Sequence, residues 1–147
     1  MIRLDLLWAK LERFPLSILL LAMRISVGAV FFRSGLLKLD SWQFAIQLFR
    51  DEYQVPLLDP VLAAQITTAV ELGVPPLLFV GLATRLATLP LLGMIAVIQI
   101  FVYPNAWNDH LLWAAALVLV LTRGPGVFSV DHWITRARRP LTTSAAA

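Results

Sequence analysis

PLSILLLAMRISVGAVFFRSGLLKL, residues 15–39, decides the fold. At 1.5 Å per residue a helix of this length reaches about 37 Å, more than the roughly 30 Å hydrocarbon thickness of a bilayer. Its charged side chains are Arg24, Arg33 and Lys38 alone, and it opens on a proline where a missing N–H costs nothing. It reads as a membrane span.

Working outward, three further apolar runs follow. Residues 61–82 form the second expected span, carrying Glu71 and interrupted by Pro75-Pro76. Residues 86–103 form the third, with Gln99 as its one strongly polar side chain. The fourth covers 106–122, with Asn108, Asp109 and His110 at its mouth and Arg123-Gly124-Pro125-Gly126 as its stop. Residues 40–60 are too polar to span. Asp40 with Gln43 reads as a helix start, and Trp42, Ala45, Ile46, Phe49 and Tyr53 recur at helical spacing, which predicts a surface helix. Residues 1–14 place Ile2, Leu4, Leu7, Trp8, Leu11 and Phe14 largely on one helical face and predict an interfacial amphipathic helix, retained rather than cleaved. At the other end, Asp131 is expected to cap a short helix, and residues 124–147 form a basic tail.

The expected fold class is therefore all-α, a polytopic four-transmembrane-helix bundle over residues 15–123 with short interfacial helices. Composition agrees: 59% of the 147 residues are hydrophobic and 14% charged, with a mean hydropathy of +0.79, against about 45–50% and 25% in soluble domains. The absence of cysteine removes disulfides, thiolate nucleophiles and Cys-ligated metals as chemistry of this chain. The net charge of +3 belongs to residues flanking apolar runs, so no nucleic acid is expected and the bilayer is the partner. Arg3, Lys10, Arg13, Arg85, Arg123, Arg136, Arg138 and Arg139 fall on one expected side, Lys38 and Arg50 on the other. Both termini are thus expected to be cytoplasmic.

Arg24 lies about 13–14 Å into the first span and Glu71 about 15 Å into the second from the opposite side, so the two are expected to meet at mid-membrane. A charge there without a partner costs at least about 2.5–3.5 kcal/mol, and Pro75-Pro76 free the carbonyls of Glu71 and Leu72 nearby. Two readings stand: a structural ion pair between helices, or a ligand site. A second polar level holds Arg33, about 27 Å along the first span, with Lys38, Gln99, Asp109 and His110. Taken singly, Lys38 snorkels to the headgroups and His110 caps or solvates its helix mouth. Taken together, they ring a cavity open to the outer face, with Arg24 and Glu71 as its floor and Arg33, Gln99, Asp109 and His110 around its wall. Gly28 and Gly35 share the Arg24 side, where small residues admit a neighbouring backbone. His110 and His132 fall on opposite sides and cannot share a metal, and no metal site is expected.

Arg24-x3-Gly28-x3-Phe32-x2-Gly35-x2-Lys38, Glu71-x-Gly73, Gly81-x2-Thr84-Arg85 and Gly124-Pro125-Gly126-x2-Ser129-x-Asp131, in that order, resemble the DoxX family of small bacterial membrane proteins. The resemblance implies a four-helix membrane protein named by relation to a thiosulfate:quinone oxidoreductase subunit. Many relatives carry a glutamate near the start of the fourth helix, where this chain has Asp109 and His110. Two function classes follow. One is an accessory subunit of a quinone-linked or stress-related oxidoreductase system, with quinone as the candidate ligand, a redox protein as partner and no metal or flavin of its own. The other is a small-solute transporter or export component using the polar interior, for which a homo-oligomer could build the path.

Overall fold

The computed structural model describes Trp8 and residues 13–138. The expected interfacial helix, apart from Trp8, Arg13 and Phe14, and the tail from Arg139 onward lie outside the described residues. Among the described residues the regular structure is entirely helical: α1 (Leu16–Asp40), α2 (Trp42–Leu48) continued by a π turn (Phe49–Tyr53), α3 (Pro60–Val80), α4 (Thr84–Val97) continued by a π turn (Ile98–Val102), α5 (Trp107–Arg123) and α6 (Val130–Ala137).

Local chemistry sets the helix ends. Asp59 caps α3 by accepting from the amides of Val61 (3.0 Å) and Leu62 (3.2 Å), with Pro60 in the first turn where a lost donor is harmless. At the far end Gly81, at φ 73°, takes the left-handed conformation that closes the helix, its amide bonding the Leu77 carbonyl. α3 nevertheless runs unbroken through Pro75 and Pro76, so the expected interruption does not occur.

α1, α3, α4 and α5 close a ring in which α1 packs on α3 and α5, α3 on α4, and α4 on α5. Val27, Phe31, Leu78, Ala87, Leu91, Ile95 and Leu117 interlock at its centre. The outer faces are just as apolar: Leu37, Ile66, Leu86, Ile100 and Leu112 are all largely exposed. Lipid is a solvent for such faces where water is not, and α1, α3 and α4 with its π turn are each long and apolar enough to cross a bilayer. This is a helical membrane protein.

Close packing sets the register of α1 against α3. A Cβ on Gly28 would fall 2.6 Å from the Phe79 ring, and one on Gly35 would fall 2.9 Å from Glu71 and Leu72. Glu71 therefore lies level with Gly35, eleven residues or about 16 Å up α1 from Arg24. The expected Arg24–Glu71 meeting does not occur. α1 begins well before α3 ends, and its first turns face the 124–128 segment instead, where Ser17 Oγ accepts from the Val127 amide at 3.2 Å.

α2 begins at Trp42 after Ser41, not at Asp40, which is the last residue of α1. It folds onto the start of α3, where Phe49 packs with Ala63 and Ala64 beside Trp42, Ile46 and Tyr53. α6 closes the opposite end of the bundle. Its cap is Ser129, which accepts from the His132 amide at 3.2 Å, rather than Asp131.

Candidate functional site

The polar groups collect at the two ends of the ring. Beneath α2 lies a cavity of about 340 Å³, bounded by α1, α3, α4 and α5 and roofed by Phe49, Tyr53, Val55 and Leu58. Most of its wall is aliphatic or aromatic. Its floor is a compact polar cluster contributed by two helices. Lys38 and Ser34, four residues apart on α1, stand on one helical face, and the tight approach at Gly35 brings Glu71 of α3 against them. The Lys38 ammonium bonds both Glu71 oxygens at 2.8 Å and Ser34 Oγ at 2.9 Å, and Ser34 Oγ donates to Glu71 Oε1 at 3.0 Å. The two charged side chains are only 14% and 4% exposed. Glu71 is thus paired with Lys38 rather than Arg24, and Lys38 is turned into the bundle rather than snorkelling outward.

His110, on the first turn of α5, forms part of the wall. It is 5% exposed, so it neither caps its helix nor meets solvent. Its ring lies 5.6 Å from that of Trp113, and Nδ1 sits 2.6 Å from Gln99 Oε1. The Gln99 amide nitrogen in turn donates to the Pro104 carbonyl at 2.7 Å. Gln99 stands behind His110 and does not line the cavity. Above, the Tyr103 hydroxyl donates to Glu52 Oε1 at 2.6 Å and its ring packs edge-on against Tyr53 at 5.7 Å, latching the π turn of α2 to the end of α4. The Glu52 bond first, and partial burial second, raise the Tyr103 phenol above its ordinary pKa.

Of the residues expected around this site, the structure brings together Lys38, Glu71 and His110, with Gln99 in support. Arg33 and Asp109 are exposed and do not line the cavity, and Arg24 is at the other end. The sequence reading did not place Ser34 or Tyr53 here. Ser34 carried a signal, its four-residue spacing from Lys38. Tyr53 carried none, because its position depends on how 49–60 folds back over the ring.

At the α6 end, Arg24 is fully buried and its Nη2 donates to the Phe128 carbonyl. Among the described residues Nε and Nη1 find no partner. Asp131 sits in the same knot, but its carboxylate is spent on the amides of Ala83 (2.7 Å) and Thr84 (2.8 Å), capping α4 across 47 residues of chain, while its own amide donates to the Gly81 carbonyl at 2.9 Å. Thus the Gly81-x2-Thr84 and Ser129-x-Asp131 pieces form one fastening that holds the α3–α4 turn to α6. Arg85, Arg136 and Arg138 are exposed at this end. Among the described residues no group of three His, Asp or Glu side chains converges on a point that could hold a metal ion.

The DoxX family model matches residues 19–104, more than half of the chain. The chain belongs to the DoxX family. Within the matched segment lie Arg24, Ser34, Gly35, Lys38, Glu71 and Gln99, hence the cavity floor and the register that builds it. His110 and Asp131 of this DoxX protein lie beyond the match. Comparison with curated proteins and with solved structures gives no match.

Proposed function

We propose that this DoxX protein is a four-span inner-membrane subunit, both termini cytoplasmic, that serves a quinone-linked or stress-related oxidoreductase system. In this reading it holds a compact ring compound of the quinone type in the cavity beneath α2, beside a redox partner protein, and brings no metal or flavin of its own. The observation that carries the reading is the cavity itself. Its volume of about 340 Å³ falls in the range of small-molecule sites, and it joins mostly apolar walls to a few convergent polar groups. Phe31 and Trp113, in edge-to-face contact at 5.9 Å, offer aromatic faces to a ring.

Solute transport is the weaker reading. The layer of Phe31, Leu78, Leu91 and Leu117 separates the cavity floor from the Arg24 knot and leaves a single chain without a polar path through its centre. Purification in mild detergent followed by solvent extraction tests the proposal: quinone should co-elute with the wild-type protein and be depleted in Glu71→Leu and His110→Phe variants. Wild-type protein that neither retains quinone nor binds added short-chain quinone or quinol overturns it.

A further inference from the structure

Resting on that reading, we infer that the cavity is built for the reduced form of its ligand: a compact ring bearing two hydroxyl donors, a hydroquinone-type diol rather than the diketone. The inference comes from counting protons. An ammonium has three to give and accepts nothing. Lys38 makes three bonds, two to Glu71 and one to Ser34. The Ser34 hydroxyl proton goes to Glu71 Oε1. Every donor on the cavity floor is therefore spent inside the cluster. Glu71 Oε1 receives two bonds and Oε2 one, while Ser34 Oγ accepts one, from Lys38; since each of these oxygens has two lone pairs, what the floor has left is acceptor capacity alone, at Glu71 Oε2 and on Ser34 Oγ.

At His110 the wall has the same polarity. A peptide carbonyl cannot donate, so the Gln99–Pro104 contact requires the Gln99 amide nitrogen on that side and turns Oε1 toward His110. Facing an oxygen that only accepts, His110 Nδ1 must carry the ring proton. In the neutral imidazole Nε2 is then a bare acceptor. Because Gln99 lies behind the wall while His110 forms part of it, Nδ1 is held on the far side and Nε2 is the nitrogen left to the ligand. Tyr103 has spent its hydroxyl on Glu52. The hydroxyls of Thr67 and Tyr53 and the indole N–H of Trp113, also on the wall, can each be answered by a ligand hydroxyl as well as by a carbonyl and do not discriminate. Glu71 Oε2 on the floor and His110 Nε2 on the wall can only accept. A diketone offers two more acceptors and leaves both unanswered, whereas a diol offers one donor to each. Unanswered buried polar groups are what make such sites selective.

Full-length protein in lipid nanodiscs, titrated anaerobically by calorimetry with a short-chain 1,4-benzoquinol and with the benzoquinone of the same substitution, tests this. The quinol is expected to bind about tenfold or more tightly. His110→Phe keeps a ring in the wall and removes the acceptor, so the quinol-to-quinone affinity ratio should fall toward one. Gln99→Leu changes no wall residue but frees the imidazole to carry its proton on either nitrogen, and it should lower the same ratio, which a merely structural role would not move. If His110→Phe fails to fold, Gln99→Leu decides. Equal affinities in the wild type, or a preference for the quinone, overturn the inference and leave the cavity a ligand site. Binding of neither compound overturns the proposed function, and this inference with it.

Discussion

Lys38→Met removes an ammonium and leaves Glu71, with its side chain 4% exposed, holding a negative charge in an apolar bundle with one hydrogen bond, from Ser34, in place of three. Breaking a buried pair from one side costs about 3–5 kcal/mol, because the surviving charge keeps its desolvation penalty without its compensation. Glu71→Leu should cost less, about 2 kcal/mol, since Lys38 retains some exposure and a four-carbon stem that can carry its head toward the roof. Removing both partners leaves no stranded charge, so the double variant should be more stable than the sum of the single losses implies by about 2 kcal/mol. Equilibrium unfolding of purified protein in mixed detergent, followed by tryptophan fluorescence, gives the four free energies of the cycle. A second cycle with Arg24→Met and Glu71→Leu is the control: at about 16 Å separation the two losses should add within about 0.5 kcal/mol. Additivity in the Lys38–Glu71 cycle, or coupling in the Arg24–Glu71 cycle, would refute the assignment of partners.

Asp131→Ala removes the two bonds that cap α4 and should lower stability by about 1–2 kcal/mol, with Asp131→Asn recovering part; an unchanged Tm would show that the cap contributes nothing. The Tyr103 phenol, raised first by its bond to Glu52, should ionise above the ordinary value of about 10. Since the neutral form is the donor, the latch it provides is fully present below that ordinary value and is lost as pH rises through the raised one. In a Tyr53→Phe background, phenolate absorbance should show one late transition that Glu52→Ala moves back toward the ordinary value, and a transition already at the ordinary value speaks against the latch. The chain is free of native cysteine, so Arg50→Cys and Arg136→Cys report topology directly: an impermeant maleimide should label position 50 in intact cells and position 136 only after permeabilisation, and the reverse pattern inverts the bundle.

Helix content and membrane character were legible because they rest on one-dimensional features, long apolar runs punctuated by Pro15 and the Gly124-Pro125-Gly126 stop. Partner choice among buried charges was not. Depth counted from expected span ends put Arg24 and Glu71 at one level, but the register is set by where the Phe79 and Leu72 side chains seat against Gly28 and Gly35, a matter of shape that hydropathy does not encode. Of the two readings of Lys38, headgroup anchor or member of a polar ring around a cavity, the first rested on its place near the end of its helix; the segment 42–58 folds back above it and turns that end into an interior. Of the two readings of His110, helix mouth or cavity wall, the first failed for a related reason, since the group that holds its ring, Gln99, belongs to the preceding helix. Asp131 looked like a local cap because it opens a short helix, yet its carboxylate serves α4. In each case the residue type announced a need for a partner, and only the packing of distant segments supplied one.

The two ends of the ring divide their work through the apolar layer between them. Asp131 bonds the backbone of Gly81, Ala83 and Thr84 and so joins the α3–α4 turn to α6, Arg24 and Ser129 bond the carbonyls of Phe128 and Gly126, and apart from two guanidinium nitrogens and the Thr84 hydroxyl, all fully enclosed, they offer little to a ligand. The α2 end does the reverse. Its floor cluster is satisfied enough to be stable in an apolar setting, but it leaves one carboxylate lone pair unused, and its wall histidine is pinned in one tautomer by a glutamine that is itself pinned by a backbone carbonyl. A purely structural pair would need no such second support, because orientation beyond the pair adds order without adding a bond to the bundle. A site that must distinguish one hydrogen-bonding pattern from its inverse needs that support. On this ground we place the proposed ligand site at the cavity end, and not at the more heavily buried arginine.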